Sequence, residues 1–211
     1  MADLTFYTNP MSRGRIVRWM LEETGADYDT VFVRYGPDMH EGDYKAINPM
    51  MKVPAIVHKG KTVTECAAIC AYLADAFPEA GLAPTPDERA DYYRWMFFAA
   101  GPWEQASTNK SMGFEVPPDK SGMAGYGDFD RTLSTLVGAV TAHPYVCGER
   151  FNAADVYVGS HIAWGMQFGS IPPTPALQEY VGRLMARPAY TRGTEKDDAA
   201  IAEYGPPMPA G

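Results

Sequence analysis

Strand-forming sequence is confined to the first third of this chain, and that boundary constrains the fold more than any other feature. Three runs rich in Val, Ile, Thr, Tyr and Phe fall before residue 66: DLTFYT (3–8), YDTVFVR (28–34) and VPAIVHKGKTVTE (53–65). After FPEAGLAPTPD (77–87), a stretch rich in proline and alanine, no comparable run returns. Between the first two runs, Ile16, Val17, Met20 and Leu21 recur at helical spacing over 13–24, with Gly25 placed for a left-handed helix end. Lys59-Gly60 splits the third run into a hairpin, and a helix with Ile69, Tyr72 and Leu73 on its apolar face follows over 66–76. The predicted order is βαβ, a connection, then ββα.

Helical patterns occupy the remainder, over 87–100, 128–141, 152–168 and 175–186, with an irregular loop at 109–127 and a loose tail from Gly205. The expected fold class is therefore α/β plus all-α: an N-terminal domain over 1–80, a linker at 81–86, and a helical domain over 87–211.

A formal net charge of -8 argues against nucleic acid as a partner, since phosphate binding needs a basic surface. The sequence contains no apolar run of membrane-spanning length and no charged-then-apolar leader pattern, so no membrane is expected and the cytoplasm is the expected location. Cys66, Cys70 and Cys147 lack the spacing of zinc or redox motifs, so no metal is expected and the thiols are read as reduced.

Three stretches carry candidate chemistry. In YTNPMSRGRIVRW (7–19), Ser12 either caps the helix that follows or joins the helix N-terminus and an arginine in holding an anion. In MKVPAIV (51–57), Pro54 opens a strand; the ordinary reading is a trans bond, whereas a cis bond would present the Val53 backbone to an extended peptide. In TVTECAAICAYL (62–73), the helix start at Glu65-Cys66 either binds a carboxylate and an ammonium group or merely complements its own dipole. A fourth stretch, RFNAADVYVG (150–159), is structural: Asn152 and Asp155 form a capping box, and Phe151 staples onto Val156.

MKVPAIV, the E-C pair eleven residues after Pro54, and the helix that follows resemble the glutathione-binding half of the cytosolic glutathione S-transferases. YTNPMSRGRIVRWMLEE resembles their first strand and helix, and the capping box resembles that of their long central helix, so the likeness spans the chain. It implies a thioredoxin-like N-terminal domain with a C-terminal helical bundle, a cis Val53-Pro54 bond, and glutathione as co-substrate. Lys52, Val53, Pro54, Glu65 and Cys66 would bind glutathione, and Ser12, Arg13, Tyr7 and Asn9 are the candidates for activating its thiol. Cys66 departs from the family's usual serine and is a weaker donor, which implies modest affinity.

The implied activity is attack of the glutathione thiol on a small electrophile seated between the domains against Met11, Tyr92, Trp95 and Trp103. Those aromatics read more readily as helix core. The resemblance also implies a homodimer. It leaves open a non-catalytic ligand-binding or interaction module and a glutathione-dependent disulfide reductase or isomerase.

Overall fold

The computed structural model describes residues 2–40 and 42–205; beyond Gly205 the expected loose tail lies outside the described residues. Strand β1 (Leu4–Thr8) leads through α1 (Gly14–Thr24) to β2 (Asp29–Phe32), and a hairpin of β3 (Ala55–His58) and β4 (Lys61–Thr64) leads into α4 (Cys66–Ala76). The sheet order is β2-β1-β3-β4, with β2 parallel to β1 and the hairpin antiparallel to it. Phe6 lies opposite Thr30 on one side and Ile56 on the other. As expected, Gly25 ends α1 in the left-handed region, and Lys59 and Gly60 both take positive φ at the hairpin. The connection also holds two short helices the sequence pattern does not reveal, α2 (Pro37–His40) and α3 (Tyr44–Ile47).

The contacts divide the chain into one compact unit of residues 1–82 with 186–211, and a second of Ala83–Met185. Leu4, Phe6, Ile16, Val17, Met20, Leu21, Ile56, Ile69 and Leu73 form the buried core of the first. A helix absent from the sequence reading, α10 (Pro188–Tyr204), packs on α1 within this unit, so the division differs from the expected 87–211 domain in where the last helix belongs. Its inward face is Ala189, Gly193 and Asp197, which carries no apolar periodicity. A Cβ at Gly193 would lie 3.3 Å from Arg18 Cγ, so the small residue permits close approach. Asp197 is fully buried and accepts from Arg18 Nε at 3.1 Å, while Arg18 Nη1 donates to Tyr28 and Thr30. Burial pushes the Asp197 carboxyl upward, against the pull of Arg18.

The second unit is helical. Its α5 (Arg89–Phe98) continues through a π-helical segment, Ala99–Trp103, into α6 (Glu104–Ser111), although Gly101-Pro102 reads in sequence as a helix end. The expected 109–127 loop contains a 3-10 turn at Pro118–Met123. Next come α7 (Phe129–Thr141), α8 (Ala153–Gln167) and α9 (Pro175–Met185). Asp128 caps α7 by accepting from Arg131 N at 2.8 Å. Helix α8 is buried along nearly its whole length, and its expected capping box is present: Asn152 Oδ1 accepts from Ala154 N at 2.9 Å, and Asp155 Oδ2 from Asn152 N at 3.0 Å. Asp155 Oδ1 also accepts from Val146 N and the Tyr180 hydroxyl.

Candidate functional site

The three chemistry-bearing stretches converge in the first unit. Helix α4 begins beside the start of α1, where Cys66 Sγ donates to Arg13 O at 3.6 Å. Val53 and Tyr7 pack against one buried cluster of Val33, Met39, Tyr44 and Ala55.

The Val53-Pro54 bond is cis. Two donors fix the carbonyl just before it: Lys52 O accepts from the Tyr44 hydroxyl at 2.5 Å and from Asn48 Nδ2 at 2.8 Å. Burial pushes the Tyr44 phenol up to about 12, so it remains a donor at neutral pH. Val53 precedes the strand pairing, which begins at Ala55. Lys52 and Glu65 are exposed, and Val53 and Cys66 are half-buried.

Glu65 adopts φ 65° and ψ 116° immediately before the first turn of α4. A non-glycine residue held there is strained, and such strain concentrates where a side chain must be aimed. The neighbouring thiols are free; the hydrogen bond with Cys66, together with burial, holds Cys70 protonated.

At the start of α1, Ser12 makes the local bonds of a cap. Its Oγ accepts from Gly14 N at 2.9 Å and donates to Asn9 O at 2.7 Å. Gly14 is required by crowding, since a Cβ there would lie 1.9 Å from Thr8 Oγ1 and 2.9 Å from Ser12 Oγ. Asn9 is fully buried: Nδ2 donates to Val33 O and Tyr204 O, and Oδ1 accepts from Met11 N. Its amide therefore ties β1, β2, α10 and the Ser12 turn together. Tyr7 is half-buried with its ring 5.7 Å from that of Tyr44, while Arg13 is exposed at the helix start.

This arrangement has the elements of an anion site: a helix N-terminus, a hydroxyl and a guanidinium. Beside it lie a strained acidic residue and a backbone segment outside the sheet pairing. Residues 2–75 match the family profile described as "Glutathione S-transferase, N-terminal domain". Glutathione S-transferase GstA of Escherichia coli is 28% identical over 194 residues, covering 87% of this chain and 90% of GstA. Residues 2–75 thus carry the N-terminal domain of the glutathione S-transferases, and the whole chain is similar to members of that family.

Its likeness to members of that family is uneven along its length. Protein LigF of a Sphingobium species is 44% identical, but over 79 residues, 36% of this chain and only 31% of LigF. The structure of a sphingomonad glutathione S-transferase complexed with glutathione superposes with a TM-score of 0.73 at 26% identity, covering 92% of this chain and 98% of that one. The family fold is thus present throughout: a thioredoxin-like sheet domain followed by helices.

The four residues expected to line an electrophile pocket lie in different settings. Met11 is 52% exposed beside Ser12. Tyr92, Trp95 and Trp103 are buried, Trp103 with its ring 5.8 Å from Phe129 and Trp95 under the Arg94 guanidinium. Trp95 also lines a cavity of about 330 Å³ in the helical unit with Asp91, Arg94, His143 and Cys147. Burial pushes the Cys147 thiol up to about 12. Among the described residues, no group of three or more His, Cys, Asp or Glu could hold a metal ion, and no helix is long and apolar enough to cross a membrane.

The sequence reading missed Tyr44, Asn48 and Gly14. Asn48-Pro49 upstream of MKVPAIV is the one local signal that could have marked a turn side chain there, because asparagine readily bonds nearby backbone.

Proposed function

We propose that this protein binds glutathione in its N-terminal unit and activates the thiol for attack on a small electrophile. The observation that carries this reading is the convergence of the Ser12 turn and the Glu65-Cys66 helix start, joined by the Cys66 to Arg13 contact. Glutathione would lie extended along the Val53 backbone in the manner of an added strand. Its γ-glutamyl ammonium would meet Glu65, its α-carboxylate the first amides of α4 at Cys66, and its glycine carboxylate Lys52.

The sulfur would then rest at the start of α1. Lowering a thiol from about 8.5 to about 6.5 requires ~2.7 kcal/mol of preferential thiolate stabilisation. One hydroxyl donor, the α1 terminus and the Arg13 charge together supply energies of that size. The thiol proton leaves to solvent, the thiolate sulfur bonds to the electrophilic carbon as that carbon's leaving group departs with its bonding electron pair, and Met11 offers apolar contact beside it.

The proposal includes a homodimer, supported by Tyr93 and Phe97, which stand 50% and 72% exposed one turn apart on α5. It also includes the cytoplasm, where free thiols and reduced glutathione coexist. Retention on immobilised glutathione followed by conjugation assays with a panel of electrophiles tests the activity. Retention without turnover leaves a binding module, and no retention removes the proposal. Sedimentation at micromolar concentration tests the dimer.

A further inference from the structure

The Ser12 hydroxyl has a single proton, and it is already directed at Asn9 O at 2.7 Å. To serve a sulfur it must leave a carbonyl of a fully buried residue while its oxygen still accepts from Gly14 N. A second hydroxyl stands at the same turn under looser constraint. Tyr35 lies three residues beyond β2, where Val33 N donates to Thr8 O at 2.7 Å and so holds this segment against the end of β1. Its hydroxyl donates to Met11 O at 3.2 Å, and the side chain is 46% exposed.

We infer that Tyr35 is a second hydroxyl donor to the glutathione sulfur, beside Ser12. The inference rests on the glutathione reading above. Three properties support it. The bond to Met11 O is long and at an exposed turn, so water can replace the phenol there. A phenol is a stronger donor to an anion than an aliphatic alcohol, because it is the more acidic hydroxyl. Finally, Ser12 and Arg13 are the polar groups that act on it, the serine hydroxyl and the positive guanidinium both favouring negative charge at the phenol oxygen. Burial nevertheless holds the phenol above its ordinary value of 10.0, so Tyr35 keeps its proton at neutral pH and acts as donor while the thiol proton goes to solvent.

The test compares the parent, Tyr35→Phe, Ser12→Ala and the double variant by ultraviolet titration of the bound thiol and by pH–rate profiles. Tyr35→Phe keeps the ring and removes one exposed hydrogen bond, so its melting temperature should match the parent. The expected result is a bound-thiol pKa raised by about half to one unit, equivalent to a roughly three- to tenfold lower rate at neutral pH that recovers at alkaline pH, with KM for glutathione unchanged. The same shift should appear in the Ser12→Ala background. An unchanged thiol pKa in Tyr35→Phe overturns the inference and leaves the glutathione reading intact. A shift that vanishes in the Ser12→Ala background also overturns it, because Tyr35 would then act only by positioning the serine. If the parent binds no thiolate, the glutathione reading fails and takes this inference with it.

Discussion

Helices α1 and α8 both begin with a short polar residue accepting from a first-turn amide, yet the two starts lie in different surroundings. At α8, Asn152 and Asp155 are fully buried, and the Asp155 carboxylate receives Asn152 N, Val146 N and the Tyr180 hydroxyl. At α1, Ser12 is half-buried and makes two local bonds, with the exposed side chains of Met11, Arg13 and Tyr35 around it. Capping chemistry is common to the two starts; burial separates them. Where every acceptor is committed and dry, the terminus fixes the fold. Where water reaches the hydroxyl, its bonds can be exchanged for those of a ligand.

The most direct way to break this contrast is to open the buried end. Asp155→Ala removes the acceptor for two backbone amides and a phenol that burial holds well above its ordinary range. Leaving such groups unpartnered in the interior should cost about 3–5 kcal/mol, measured by equilibrium denaturation. A loss under about 1 kcal/mol would mean that α8 does not depend on its cap.

Gly14→Ala strikes the proposed reactive end by crowding. The added methyl meets Thr8 Oγ1 at 1.9 Å and Ser12 Oγ at 2.9 Å, so the turn must shift. Overpacking of this kind typically costs about 1–3 kcal/mol. Because Ser12 Oγ is one of the two crowded atoms, conjugation should fall more steeply than stability. Proportional losses in both would show that the turn is only structural.

Acid titration compares the two units through their ion pairs. Burial raises the Glu22 carboxyl, but hydrogen bonds from Lys196 and Tyr28 outweigh it and leave the group below its ordinary 4.5. Glu88 is likewise raised by burial and brought below 4.5 by Arg150 and Thr85. Each group thus contributes stability above pH 4.5 that disappears as pH falls through its lower folded value. Glu88→Gln should cost about 1 kcal/mol at neutral pH and flatten the acid limb of the stability profile, as followed by denaturation at a series of pH values. An acid limb unchanged by the substitution would remove the Glu88–Arg150 pair from this account.

What could be read in the sequence follows the same division between apolar pattern and polar detail. The four strands, α1, α4 and the α8 cap announce themselves because alternation, helical spacing and capping residues are local signals. Helix α10 does not, because its buried face is two small residues and an aspartate whose partner, Arg18, is 179 positions away. The π-helical passage through Gly101-Pro102 is equally silent, since proline there normally ends a helix. In the site, Ser12, Val53-Pro54 and Glu65 are visible through their motifs. Tyr44, Asn48 and Tyr35 make hydroxyl and amide contacts that only the folded turns create.

The smallest expected change in stability, and the one that sharpens the contrast most, is Ser12→Ala. It removes an acceptor from Gly14 N and a donor from Asn9 O, but at a half-buried position where water can take up part of both roles. The cost should therefore be about 1 kcal/mol or less, in the range of an exposed cap. Its effect on chemistry should be larger in proportion: the pKa of bound glutathione rises and turnover at neutral pH falls, with recovery at higher pH as the uncatalysed thiolate fraction grows. Ultraviolet titration of the complex decides the matter. If Ser12→Ala raises the thiol pKa, the serine leaves Asn9 O to serve the sulfur, and the half-buried end of α1 is a reactive terminus. If the pKa is unchanged, Ser12 is a cap in the same sense as Asn152, and a shift found for Tyr35→Phe alone would then assign the thiolate to the phenol.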